Sequence, residues 1–325
     1  MRNRLFVFGL LGAAAAVMLV LPPTATAGQA SRAPEPQNSC LSEDPARFWR
    51  CAQERAKTFN PPRTADGHTD LSGYWRNRTS ATVSLEGSSR AFAVEENEAF
   101  GAGSNPNGGY GGKAVVVDPP DGKVPYQPWA RAQSQENAAK YIDQNTHCFL
   151  SGAVRHMYVA PAYQIIQTRD YIAIPSEEAH ATRIITMANR PHLGKSILLW
   201  QGDARGRWDG NTLVVQSKNH NGRVFLDRRG TFYTDTAILT ERFMMVDLNT
   251  IAYTATVDDP LVYTRPFTIA LAFTRHTTPG FEIWEESCFE GDTAAKSLEK
   301  LGFRMYPGIT SKDVPGLKAR TPGSR

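Results

Sequence analysis

The chain has 325 residues, with 36 Lys and Arg against 32 Asp and Glu, for a formal charge of +4. Two of the positive charges, Arg2 and Arg4, fall in a segment expected to be removed, so the remainder carries about +2, which is too little and too scattered for a nucleic-acid partner. Four cysteines in an exported chain read as two disulfides rather than a metal site, since no CxxC spacing or second His-Cys cluster accompanies His147-Cys148.

The N-terminus carries a secretory signal. Arg2 and Arg4 precede an apolar run from Leu5 to Leu21, and Ala25-Thr26-Ala27 puts small residues at the cleavage positions. With a cut after Ala27, 325 less 27 leaves about 298 residues, enough for one large β-domain or two small ones. The mature chain is expected to be secreted or periplasmic with no membrane span; an uncleaved anchor is the alternative.

Residues 28–69 read as a flexible extension stapled by Cys40–Cys51, with a short helix from Asp44 to Lys57 that Pro61-Pro62 ends. Asp70-Leu71-Ser72-Gly73-Tyr74-Trp75 then reads as a turn feeding a first strand. The glycine-rich stretch from Gly101 to Gly112 resembles no phosphate cradle, because no Lys-Ser/Thr follows it. Pro128 to Ile142 reads as a helix, and Asp143 to Gly152 as an irregular link.

From Met157 the text is β after β. Strands are predicted over Tyr163–Gln167, Tyr171–Pro175, Arg183–Met187, Ile197–Trp200, Leu213–Ser217, Thr236–Val246, Ile251–Val257, Phe267–Phe273 and Phe281–Glu286. Turn signals such as Asp209-Gly210 and Asn221-Gly222 fall between them. Alternation is clean near the end: Ile251, Tyr253, Ala255 and Val257 share one face, and Phe267, Ile269, Leu271 and Phe273 another. The expected fold is mainly β, an antiparallel lipocalin-like barrel over 70–292, followed by an extended tail over 293–325. Of the three possible pairings, Cys40–Cys51 with Cys148–Cys288 is favoured, the second joining the start of the domain to its last strand.

No G-x-S-x-G, catalytic-Cys context, H-E-x-x-H or dinucleotide fingerprint is present. What remains is a set of ionisable and amide residues at strand ends. His220 is the first choice as a general base, placed between two asparagines just past the strand that Trp208-Asp209-Gly210-Asn211 opens. His192, in Asn189-Arg190-Pro191-His192, is the second. Asp258 or Tyr263 would be the acid, and Arg155 or Arg265 the partner of an oxyanion. His156, Asn219, Trp208 and Glu241 would join Arg155 in binding substrate. Each has a structural alternative: a loop histidine in solvent, a satisfied histidine at a strand entry, or a turn locked by an Asp–Arg pair. Glu241-Arg242 lies mid-strand, so one of the two should point inward and need a partner.

The segment Trp208-Asp209-Gly210-Asn211-Thr212-Leu213-Val214-Val215 resembles a W-[ED]-G-[DN]-T-L-V-V turn and strand of a large, mostly uncharacterised family of exported bacterial β-proteins. The likeness continues through Leu226-Asp227, Glu241-Arg242-Phe243, Tyr253…Thr256-Val257-Asp258-Asp259-Pro260 and Tyr263-Thr264-Arg265-Pro266-Phe267. It covers roughly Asp70 to Asp292 and implies a lipocalin-like barrel, with no catalytic residues to carry over. One departure is Ser217-Lys218-Asn219-His220-Asn221, where the family commonly has T-x-G-F-N.

Three functions are open on these residues. The first is a cofactor-independent, metal-free enzyme of lyase, isomerase or cyclase type, acting on a small, partly apolar molecule in a barrel cavity. The second is a carrier of a small hydrophobic ligand, and the third a structural envelope protein. An open cavity with ionisable groups favours the enzyme, an aromatic-lined cavity the carrier, and a filled interior the third.

Overall fold

The computed structural model describes residues 40–42, 44–78, 84–87, 113–160, 162–286, 288 and 293–316. The expected export signal, residues 28–39 and the glycine-rich stretch at 101–112 lie outside the described residues. Strands follow in chain order as β1 (Gly73–Asn77), β2 (Val116–Asp118), β3 (Tyr141–Ile142), β4 (Tyr163–Gln167), β5 (Tyr171–Pro175) and β6 (Thr182–Thr186). After a long crossover come β7 (Asp203–Asp209), β8 (Thr212–Lys218), β9 (Ile238–Asp247), β10 (Thr250–Asp258), β11 (Phe267–Arg275) and β12 (Arg304–Met305).

Nine strands close a barrel. β1 pairs with β4 along one edge and with β11 along the other, so β4 to β11 run in sequence around the wall. Closure satisfies edge N–H and C=O groups that would otherwise be free to recruit another chain. The two alternating segments form the β10–β11 hairpin, with Tyr253 opposite Leu271 and Ala255 opposite Ile269. Ile251, Tyr253, Val257, Phe267, Leu271 and Phe273 are fully buried in the main core cluster.

The barrel is mixed rather than purely antiparallel. β6 and β7 are parallel and joined through one residue pair, Thr186 with Arg205. Parallel neighbours cannot be joined by a hairpin, so the chain needs a crossover. Residues 187–202 supply it. The strand expected at Ile197–Trp200 lies within this crossover and forms only an isolated bridge, Leu199 to His220, just past the end of β8. Gly206 permits the close passage: a Cβ there would come within 2.4 Å of Met187 Sδ.

Large side chains occupy the barrel interior in which a ligand cavity is expected. Trp75, Tyr163, Phe243, Tyr253 and Phe273 are buried inside, with Tyr163 and Tyr253 both in ring contact with Phe273. Among them lies a buried ion pair between Arg183 on β6 and Glu241 on β9. Arg183 Nη2 also donates to Ser217 Oγ at 3.2 Å and Nη1 to Ala153 O at 3.4 Å, while Tyr253 OH donates to Glu241 Oε1 at 2.8 Å. Glu241 therefore is the inward member of its dipeptide, and Arg242 pairs outside with Asp209 at 3.0 Å.

Helix α1 (Pro45–Thr58) covers the outside of the same wall. Asp44 caps it, accepting from Ala46 and Arg47 N–H at 3.0 and 3.1 Å. Phe48 and Ala52 bury against Val246, Ala252 and Ala272, and Cys51 bonds to Cys40. The segment from Cys40, expected to be flexible, is a packed part of the domain. Helix α2 (Pro128–Lys140) holds the expected position, and α3 (His156–Val159) precedes β4.

The second disulfide is Cys148–Cys288, although no strand forms at Phe281–Glu286. That segment is tied down instead by Glu286 N–H to Glu177 O at 3.1 Å and Ala179 N–H to Glu286 Oε2 at 2.9 Å. The tail is not simply extended. Helix α4 (Thr293–Lys300) leads into β12, which pairs in parallel with β3, and Tyr306 packs on Phe225 with ring centroids 4.2 Å apart.

Truncating one partner of the internal pair leaves the other buried and uncompensated. Arg183→Met should therefore cost about 3–5 kcal/mol in urea denaturation. The double variant with Glu241→Met should recover most of that loss, since both charges are then gone.

Candidate functional site

The crossover loop and the outer face of β7–β8–β9 enclose a cleft of about 230 Å³. It is lined by Ala188, Asn189, Arg190 and His192 from the loop and by Arg205, Gly206, Arg207, Val214, Gln216 and Thr240 from the strands. Register explains the strand set. Arg205 lies opposite Gln216 and Gln216 opposite Thr240, while Arg207 lies opposite Val214, so these side chains share the outer face.

His192 is the one imidazole in the cleft. Its Nδ1–H donates to Asp203 Oδ2 at 2.8 Å, and its Nε2 makes no hydrogen bond among the described residues. A carboxylate accepts only, so it selects the tautomer with the proton on Nδ1 and leaves the Nε2 lone pair free to take a proton. Asp203 is itself buried and fully engaged. Leu193 N–H reaches the same oxygen at 3.0 Å, and Arg205 Nη1 lies 2.6 Å from Oδ1.

The loop around the histidine is held from both sides. Arg205 also donates to Pro191 O through Nη2 at 3.1 Å and Nε at 3.3 Å, gripping the residue before His192. Asn219 adopts a left-handed backbone, φ +60°, just after β8. Its Nδ2 donates to Leu193 O and Gly194 O, each at 3.0 Å, and its own carbonyl accepts from Leu199 N–H at 2.8 Å. Asparagine is among the few residues that tolerate this backbone region. Asn219, expected to bind substrate, thus positions the loop.

His220 is elsewhere. It is fully buried, donates through Nε2–H to Ser217 O at 3.2 Å, and packs edge-on against Tyr233. A Cβ on Gly202 would come within 2.4 Å of its Cε1, so backbone seals that side. The imidazole expected at a strand end has turned inward, away from the cleft. His156 is also fully buried, bonding to Ile174 O at 3.2 Å.

The expected acid side does not form either. Tyr263 is buried, with its hydroxyl donating to Phe232 O, and Arg265 Nη2 lies 2.8 and 2.7 Å from the two carboxylate oxygens of Asp118. Asp258 ends β10, and its neighbour Asp259 locks a turn by accepting from Thr234 N–H at 2.7 Å and Leu261 N–H at 3.1 Å. Trp208 stacks on His68, and Glu241 belongs to the barrel interior. Arg155 is buried, bonded to Asp143 and, at 3.1 Å, to Phe225 O. Of the expected residues, only His192 lines this cleft, with Asn219 supporting it.

Arg190, Arg205, Arg207 and Asp203 have no role assigned from the sequence, although Asp203 and Arg207 fall in its set of ionisable residues at strand ends. The signal was present: in Asp203-Ala204-Arg205-Gly206-Arg207 the charged residues alternate and so share one strand face. Glu178 was also passed over. Its carboxyl accepts from Ser151 Oγ at 2.7 Å and from Asn145 Nδ2, and burial pushes it up to about 7.

A larger cleft of about 420 Å³, lined by Glu86, Lys123, Tyr126, Arg131, Asp227 and Arg229 among others, lies beside α2. Its charges are mutually engaged: Lys123 and Arg131 both lie 3.6 Å from Glu86, and Asp227 accepts backbone N–H groups of Leu85, Arg229 and Thr231. Among the described residues, no three His, Cys, Asp or Glu side chains gather as metal ligands. No protein-family model matches the chain, and no curated protein matches it.

The two buried histidines make the fold pH-sensitive. Burial, with Arg183 nearby as a smaller cause, pushes each imidazole down to about 4. The unfolded chain takes up their protons below about pH 6.5 and the folded chain only near 4. Stability present above pH 6.5 is thus lost as pH falls towards 4. Glu178 acts in the opposite sense, since its raised value favours the folded protein at acid pH and the gain is lost as pH rises through about 7. Comparison with His220→Gln isolates one imidazole. On acidification from pH 7 to 4.5, the variant should lose about 2 kcal/mol less than the wild type in chemical denaturation.

Proposed function

We propose that the protein is an exported enzyme that moves a proton on a small molecule bound in the outer cleft, with His192 as general base. The observation that carries the reading is the His192–Asp203 pair: an imidazole with one nitrogen fixed by a buried carboxylate and the other unengaged in a cleft. Such an arrangement is what general-base catalysis requires before any question of substrate arises. Nε2 would take a proton from a carbon acid and return it, to a neighbouring atom in an isomerisation or to the departing group in an elimination. One imidazole can serve both steps, so no separate carboxylic acid is needed in the cleft. An arginine beside it would stabilise the enolate-like charge that develops.

Export is part of the proposal. Two disulfides and the lack, among the described residues, of a helix long and apolar enough to cross a membrane are compatible with an extracellular or periplasmic protein. The likeness to exported lipocalin-like β-proteins supports the same placement. The packed barrel favours a second reading, a structural envelope protein whose cleft does no chemistry. It speaks against a carrier that holds its ligand inside the barrel.

Turnover separates the two readings. The signal-free protein is incubated with a metabolite extract in deuterium oxide, and mass spectrometry follows species that are consumed or that gain deuterium. His192→Asn should lower the rate by about 10²–10⁴-fold. Asp203→Asn should lower it comparably, because the amide would donate to Nδ1 and force the proton onto Nε2. No change in any species with wild type, or equal change with His192→Asn, would sink the enzyme reading.

A further inference from the structure

We infer that the cleft beneath the crossover recognises its substrate through an anionic group, a carboxylate or a phosphate, held by Arg190 and Arg207. The inference deepens the proposed role of His192 and rests on it for the notion of a substrate; the binding of an anion stands by itself. Three of the ten lining residues are arginines, one is a histidine and none is acidic. Asp203, which adjoins the cleft through His192, is occupied by that imidazole, Leu193 N–H and Arg205.

Arg205 is therefore committed to the framework, whereas Arg190 and Arg207 are exposed and make no ion pair or side-chain hydrogen bond among the described residues. The contrast with the adjacent strand is informative. Arg242, opposite Val214 on the same outer face, is neutralised by Asp209. Two unpaired guanidinium groups lining one concave surface focus a positive potential that a bound anion discharges. Their planar forks match the two oxygens of a carboxylate or phosphate edge.

The rest of the lining narrows the ligand further. Asn189, Gln216 and Thr240 add neutral hydrogen-bonding groups, and Val214 and Ala188 add an apolar floor. A volume of about 230 Å³ corresponds to roughly eight water molecules at about 30 Å³ each. That suits a small organic acid or phosphate ester and excludes a polymer buried along its length. The anionic end would sit on the arginines, while the proton to be moved lies towards His192 Nε2.

Calorimetric titration of the signal-free chain at low ionic strength tests this with three probes: benzoate, its neutral isostere benzamide, and inorganic phosphate. Benzoate or phosphate should bind, more weakly as salt is added, and benzamide at least tenfold more weakly than benzoate if benzoate is the anion taken. Arg190→Gln and Arg207→Gln should each weaken the anion by about tenfold or more, while Arg50→Gln on α1 should leave it unchanged. Preference for phosphate over benzoate, or the reverse, assigns the anionic group and supports the inference either way. Binding of benzamide equal to that of benzoate without phosphate binding, anion binding that survives the double arginine variant, or no anion binding up to about 10 mM would overturn it. His192→Asn keeps the two proposals apart: turnover retained with arginine-dependent binding intact removes the base but not the anion site, and lost binding with His192-dependent turnover does the opposite.

Discussion

The Arg183–Glu241 ion pair holds together the part of the barrel wall that backbone pairing holds least. β6 and β7 share one residue pair, while β8 and β9 share six and β9 and β10 nine. From inside, Arg183 on β6 reaches past β7 to Ser217 on β8 and Glu241 on β9. Two charges removed from water are tolerated only when their hydrogen-bonding groups are matched. Tyr253, Ser217 and Ala153 supply much of that matching, and the surrounding aromatic side chains then fill the interior. The result is a barrel closed across a weak seam and packed in the region where a carrier would keep its ligand.

That seam also makes the candidate site. Parallel neighbours require a crossover, the crossover must pass over the wall, and the space beneath it is the cleft. Loops are ordinarily poor places for groups that must be held to a fraction of an ångström. Here the loop is tied to strands at several points: Asp203 and Arg205 of β7 hold Pro191, His192 and Leu193, and Asn219 beyond β8 holds Leu193 and Gly194. The histidine therefore inherits the rigidity of the barrel although it lies outside it. Substitutions in the seam and in the tether should consequently act on different properties, the first on stability and the second on the geometry around Nε2.

How far the sequence discloses this follows from what each element buries. β10 and β11 are legible because one face of each meets the core and alternation follows from that. The α1 start is legible because Asp44-Pro45 has a direct local cause in capping. β7 is illegible to the same reading, since Asp203, Arg205 and Arg207 share its outer face and the inward positions hold the small Ala204 and Gly206 before Trp208 at the end of the strand. Conversely, Ile197–Trp200 and Phe281–Glu286 look like strands by composition but form a crossover and a disulfide-tethered connection. Residue type reports a preference for burial or β geometry, not the partner that a strand requires. The His192–Asp203 pair is hidden for a related reason: its spacing follows from how the crossover folds back onto β7, which no local pattern encodes.

The three histidines show how environment, rather than identity, allots chemistry. His156 and His220 lie in the interior, where burial and Arg183 favour the neutral ring. Each donates to a backbone carbonyl, so they help to satisfy the framework and have no route to a substrate. His192 lines a cleft, with a carboxylate on one nitrogen and no protein partner on the other among the described residues. The arginines divide in the same way. Arg183 and Arg155 have carboxylate partners and are spent on structure, Arg205 is shared between a carboxylate and a loop carbonyl, and Arg190 and Arg207 are left without a protein partner among the described residues. Polar groups whose valences the fold satisfies explain its stability. Those it leaves open at a surface concavity, a ring nitrogen and two guanidinium forks, are where a ligand has binding energy to gain.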